Sequence, residues 1–149
     1  MRIRPAGMDE LPALSALALR AKASWGYPPA FLEACRDELT LTPEKVAGWD
    51  IWVAELDGRP AGMIALRMAG LDAELEDFFV EPELQARGVG SALMSTFLDA
   101  ARARGAIAVA LDADPHAEPI YARFGFTTVG RSPSGSIPGR WLPRMRMRL

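Results

Sequence analysis

One stretch constrains the fold more than any other. From Leu75 to Leu111 the chain passes through an apolar strand pattern stopped by Pro82, then a loop bearing Gly88 and Gly90. A helical stripe of Val89, Leu93, Phe97 and Ala100 follows, then a Gly105 stop and the unbroken apolar run Ala106–Leu111. A 3.6-residue period between two strand patterns is a strand–helix–strand crossover. The unbroken run is the pattern of a strand buried on both faces.

What precedes and follows the crossover is different in kind. Arg2–Arg4 predicts a short first strand, and Asp9 an N-cap for a helix carrying Leu11, Leu14, Leu17 and Ala18 to about Ala23. Ser24-Trp25-Gly26-Tyr27-Pro28-Pro29 interrupts it, and a second helix is expected from Ala30 to Leu39. Thr42-Pro43-Glu44-Lys45 predicts a brief further turn of helix. Ile51–Leu56 and Pro60–Leu66 are strands joined by Asp57-Gly58, a strong hairpin signal. Leu75–Val80 is the next strand. After the crossover come a short helix, Glu118–Phe124, ended by Gly125, and strands near Phe126–Val129 and Trp141–Leu149. Hairpins first and one crossover later define an α+β fold with a mixed, mostly antiparallel sheet. No repeat and no dividing linker is visible, so residues 1–149 read as one domain.

Charge and chemistry narrow the function. Net charge is -2, which disfavours a dedicated nucleic-acid-wrapping protein. Six acids and no base lie between Asp72 and Glu83, whereas five Arg and no acid lie beyond Gly130. Both runs are expected as solvated faces, the Arg residues alternating with Met145, Met147 and Leu149 as on a half-exposed edge strand. That edge offers a place for a second copy to pair as a homodimer. No apolar run is long enough to span a membrane, and no secretory signal opens the chain, so a cytoplasmic setting is expected. Cys35 and His116 are single, which leaves no multi-cysteine or histidine-rich metal site. Cys35 reads as a buried small residue and His116 as a loop histidine.

The loop between strand and helix is built for an anion. Gly88 and Gly90 bare the backbone, so successive N–H groups can converge on one charge. The helix N-terminus adds free donors and Arg87 a full charge, a chemistry that fits a pyrophosphate. Neither G-x-G-x-x-G nor a Walker motif is present, since Leu93 stands at the third glycine position and no Gly-Lys-Ser/Thr occurs. The string Gln85-Ala86-Arg87-Gly88-Val89-Gly90, after Val80-Glu81-Pro82, instead resembles the acyl-CoA motif Gln/Arg-x-x-Gly-x-Gly/Ala of the GNAT superfamily of N-acetyltransferases. Tyr121-Ala122-Arg123-Phe124-Gly125-Phe126 is similar to that family's late Tyr-x-x-x-Gly-Phe motif, and the element order agrees over essentially the whole chain.

The resemblance implies a sheet of about seven strands with helices on both faces and a V-shaped splay between the fourth and fifth. Acetyl-CoA would lie in that notch along Phe79, Val80 and Glu81, with its pyrophosphate on the backbone of Gln85, Ala86, Arg87, Gly88, Val89, Gly90 and Ser91. It implies direct attack by a neutral amine of a small molecule or peptide, the carbonyl polarised by an N–H near Val80. Tyr121 matches the general acid. Glu76 is favoured as the base with Asp77 second, because strand alternation shows one of them to the acceptor unless a bulge upsets parity. Trp25 and Tyr27 would wall the acceptor pocket opposite a lid from Arg131 to Arg140. The Asp72–Asp77 acids suit a cationic acceptor and the two Arg a carboxylate-bearing one. Where the family often carries Asn against the cofactor arm, this chain offers Asp112 and Asp114. No metal is implied. Two other readings are an acyl-CoA sensor without turnover and a nucleotide-binding protein.

Overall fold

The computed structural model describes all 149 residues. Seven strands form one sheet: β1 (Arg2–Pro5), β2 (Asp50–Leu56), β3 (Arg59–Ala69), β4 (Asp72–Val80), β5 (Ala108–Asp112), β6 (Thr127–Pro133) and β7 (Trp141–Arg148). The helices are α1 (Leu11–Ala23), α2 (Pro29–Leu39), α3 (Val89–Ala103) and α4 (Glu118–Phe124). Strand order is β1-β2-β3-β4-β5-β7-β6, antiparallel throughout except for the parallel β4–β5 pair. The crossover through α3 creates that single parallel pair, as a strand–helix–strand unit must.

Local chemistry explains the punctuation. Asp57 (φ 53°) and Gly58 (φ 77°) both adopt the left-handed region that a two-residue hairpin turn requires, joining Leu56 to Arg59. At the first helix the expected cap is replaced. A short 3-10 turn over Met8–Glu10 precedes α1, and Glu10, not Asp9, reaches back to the Gly7 N–H (2.7 Å) and to Arg4 (2.7 and 2.8 Å). The charged bond to Arg4 holds the Glu10 carboxyl down at about 2. Thr42–Lys45 forms turns rather than a helix, with one helical bond from Val46 N–H to Thr42.

The core has two sides. Leu93, Met94 and Phe97 of α3 pack on one face of the sheet with Ile64, Leu66, Val109 and Leu111. Leu11 and Leu14 of α1 cover the other face with Val53, Met63 and Ala65. Burial on both faces is why β3 reads as continuously apolar from Ala61 to Leu66.

Candidate active site

The parallel pairing of β4 with β5 covers only Asp72–Glu74 against Ala108–Ala110, whereas β4 runs on to Val80. The two strands therefore part and leave a V-shaped notch. On its far side β4 stays bonded to β3, through the Phe79–Met63 pairing and the Glu81 N–H to Ala61 carbonyl bond of 2.8 Å. Backbone alternation then turns the N–H and C=O of Phe78 and Val80 into the notch, where no strand meets them. A cavity of about 690 Å³ occupies this space and extends past α2 and the β6–β7 loop.

The loop at one end of the notch carries unspent donors. Gly88 is left-handed (φ 79°), Ala86 shares that conformation (φ 64°), and no side chain caps α3. The first helical bond back to the loop is from Ala92 N–H to Gly88 (3.1 Å), so the amides of Val89, Gly90 and Ser91 lie upstream of the ladder. Gly90 packs on β4: a Cβ there would stand 3.4 Å from the Phe78 ring. Gln85, Ala86, Gly88, Gly90 and Ser91 line the cavity; the Val89 side chain is core. Glu81 and Arg87 lie outside the lining. The Glu81 carboxylate is gripped by Arg20 of α1 through two bonds of 2.7 and 2.8 Å.

Deeper in the notch a register shift sorts the two acids. Leu66 faces Leu75 but Ala65 faces Asp77, so Glu76 is the extra residue of a β-bulge. Glu76 accepts a 2.7 Å bond from Arg67 Nε. Asp77 has no such partner: its Oδ2 is shut off from solvent and makes no hydrogen bond. Desolvation pushes its carboxyl up to about 7, with Glu76 and Glu38 adding and Lys45 opposing. Tyr121 lines the same cavity, buried edge-on against Phe126 at 5.7 Å. Burial raises its phenol, and the nearby Asp77 charge raises it further.

The other wall converges on Asp114, just beyond β5. Its carboxylate accepts from Lys22 (2.8 Å), Tyr27 (2.9 and 3.0 Å) and the His116 N–H (2.8 Å), and these bonds hold it near 2 against the cost of burial. Arg140 donates to the Tyr27 oxygen at 2.6 Å. Three segments distant in sequence are thereby tied together: the α1–α2 loop, the turn after β5 and the β6–β7 loop. Trp25 lines the cavity and stacks on His116 (5.4 Å). Tyr27 stands behind the wall, stacked on Phe31 at 4.1 Å. Cys35 is buried and meets Ser136 at 3.5 Å.

Sequence reasoning missed Gly62, Lys22 and Glu38. A Cβ on Gly62 would stand 2.9 Å from the Phe79 carbonyl, so this mid-strand glycine permits the close approach that shapes the notch. Its place inside a strand was the available signal. Lys22 and Glu38 gave none, because their partners Asp114 and Ser136 are remote in the chain.

A notch between parting parallel strands, flanked by an uncapped helix N-terminus, is the architecture of acyl-CoA-dependent N-acetyltransferases, and sequence comparison agrees. A sequence profile of the acetyltransferase (GNAT) domain matches residues 32–149, and the chain belongs to this family. An uncharacterized N-acetyltransferase of Escherichia coli K12, YafP, is 28% identical over 146 residues, covering 97% of this chain and 91% of its own. A GCN5-related N-acetyltransferase from Rhodopseudomonas palustris shares the fold with TM-score 0.84 at 24% identity, covering 99% of this chain and 95% of that one. The PaiA N-acetyltransferase of Thermoplasma acidophilum, solved with coenzyme A, gives 0.80 at 17% identity over 99% and 98% of the two chains. No helix is long and apolar enough to cross a membrane.

Proposed function

We propose that residues 1–149 act as one domain that moves an acetyl group from acetyl-CoA to an amine, with Asp77 as proton acceptor and Tyr121 as donor to the leaving sulfur. The residues present suit the cosubstrate. The amides of Val89, Gly90 and Ser91 and the backbone of Gln85–Gly88 would hold the pyrophosphate. The open backbone groups of Phe78 and Val80 would pair with the pantetheine amides, the Val80 N–H facing the thioester oxygen. Bound acetyl-CoA supplies an acyl carbon activated by its thiol leaving group.

The chain's own residues supply the proton traffic. An amine reaches the site largely as ammonium and must lose a proton before its lone pair forms the C–N bond. A carboxylate near 7 accepts that proton at neutral pH, which one held near 4 does poorly. As the C–S bond breaks, charge builds on sulfur. Tyr121, held protonated by its surroundings, donates a hydrogen bond there and the proton follows. Because a phenol is a weaker acid than a thiol, most of its effect is stabilisation of the developing thiolate.

The observation that carries this reading is the desolvated, unpartnered Asp77 Oδ2 in one cavity with the Tyr121 phenol. It also favours Asp77 over Glu76, whose carboxylate Arg67 already occupies. The test is thiol release from acetyl-CoA across an amine panel, with cofactor binding measured in parallel. Turnover abolished in Asp77→Asn and retained in Glu76→Gln supports it. Tight coenzyme binding with no turnover on any amine would instead make the chain a sensor.

A further inference from the structure

Resting on the acetyltransferase reading, we propose that the acceptor is an amine that also carries a carboxylate, an amino acid or a peptide's C-terminal residue, held between Lys22 and Arg140. Both cations line the cavity and both approach one oxygen, Asp114 Oδ2, at 2.8 and 3.7 Å. Their side chains are only 13% and 17% exposed. One carboxylate neutralises one of them, and Tyr27 adds no charge: its phenol donates to Asp114 and is pushed up to about 12. A net positive corner remains in a partly desolvated wall. Arg140 spends Nη2 on Tyr27, which leaves Nε and Nη1 as donors without a partner in the chain.

Four further acids line the cavity: Glu38, Glu76, Asp77 and Asp112. Glu76 and Asp112 are answered by arginines behind the wall, Arg67 and Arg144. Asp77 and Glu38 are not; the Glu38 carboxylate accepts only from Ser136, at 2.6 Å. A cavity with an unanswered acid at the reacting centre and a cationic corner around Asp114 is complementary to a zwitterion. The ammonium end goes to Asp77, where it is deprotonated, and the anionic end goes to Arg140, whose planar fork suits a carboxylate.

The test compares amino acids with their own primary amides, using kcat/KM corrected for the neutral fraction of each amine. Wild-type protein is expected to favour the free carboxylate by about tenfold or more, as a charge-assisted contact implies. In Arg140→Gln that ratio falls toward one while KM for acetyl-CoA stays unchanged, and Arg140→Lys recovers part of it. Equal or better use of the amides by wild-type protein overturns the inference and leaves the acetyltransferase reading intact. So does a rise in KM for acetyl-CoA in Arg140→Gln, which would assign the cations to the cosubstrate. Absence of amine-dependent thiol release with every amine of the wider panel refutes the acetyltransferase reading itself.

Discussion

Arg144 of β7 clasps Glu74 of β4 across the intervening strand, Nη1 to Oε1 at 2.5 Å and Nη2 to Oε2 at 2.9 Å. Glu74 faces Ala110 of β5 while Arg144 faces Asp112, two residues further along, so the guanidinium reaches diagonally back across β5. Arg146, which faces Ala110, makes the same diagonal reach to Asp72, which faces Ala108, at 3.2 and 3.3 Å. Two members of the acidic run, Asp72 and Glu74, are thus partners of two of the arginines rather than solvated, and β7, paired to β5 and β6, is not the edge strand that the alternating pattern suggests. Glu74 is also the last residue of β4 paired to β5, so the clasp stands at the root of the notch.

Arg144 also donates to Asp112 at 3.2 Å, which makes it a link among β4, β5 and β7. Arg144→Met leaves Glu74, only 12% exposed, without its partner. A loss on the order of 2 kcal/mol is expected, discounted from a fully buried pair because Arg144 itself is one-third exposed. Urea denaturation measures it. An unchanged midpoint would mean that the clasp contributes nothing to the fold.

Asp77 gives a pH signature with a definite sign. Burial raises its carboxyl from 3.8 to about 7, so the folded protein binds that proton more tightly than the unfolded chain. The group costs nothing below about pH 4, costs progressively more as pH rises, and reaches its full penalty above about 7. Asp77→Asn removes the penalty. The difference in Tm, variant minus wild type, should therefore grow between pH 5 and pH 8, while kcat drops by roughly 10²–10⁴-fold. A Tm difference that is flat across this window contradicts the assigned burial.

What the chain disclosed beforehand was what local chemistry determines. Gln85–Gly90 could be read because the turn and the helix start depend on neighbours a few residues away. The Asp57-Gly58 hairpin and the α3 stripe could be read for the same reason. Which of Glu76 and Asp77 is buried without a partner could not, since the answer lies in a one-residue shift of β4 against β3. Nor could the Arg144–Glu74 clasp or the Asp114 hub, whose bonded members are separated by 70 and by up to 113 residues. Tyr27 illustrates the limit: an aromatic on a stiff loop is expected to wall a pocket, but Asp114 and Arg140 draw it out of the cavity lining.

Tyr121 separates binding from chemistry. Its ring contributes packing against Phe78 and Phe126, which Phe preserves, so Tyr121→Phe should fold with a Tm close to wild type. The lost hydroxyl should lower kcat by about 10²-fold or more without changing the affinity for acetyl-CoA. Its raised phenol also means that activity should not fall between pH 8 and 9.5 through loss of this proton. Stopped assays of thiol release at those pH values, beside calorimetric binding, check both statements. A weakened affinity with intact kcat would reassign Tyr121 to the cofactor wall.

Gly62 tests whether the notch itself is the binding element. The missing Cβ at this position faces the Phe79 carbonyl at 2.9 Å and Leu93 and Val89 at 3.1 Å. Phe79 is backbone and cannot step aside without moving β4, while Leu93 and Val89 are fully packed core. Gly62→Ala therefore has to displace β4 from β3 along the stretch that borders the notch, at a cost of about 1–3 kcal/mol for overpacking. Since the backbone groups of Phe78 and Val80 shift with the strand, acetyl-CoA affinity should fall even though residue 62 lies outside the cavity lining. Gly58→Ala, at the β2–β3 hairpin turn and outside the cavity lining, is the control. Its Cβ meets nothing within 4 Å, so it reports only the strain of a left-handed φ, roughly 1 kcal/mol. If Gly62→Ala binds acetyl-CoA as tightly as wild type while losing stability, the notch backbone is not what holds the pantetheine arm.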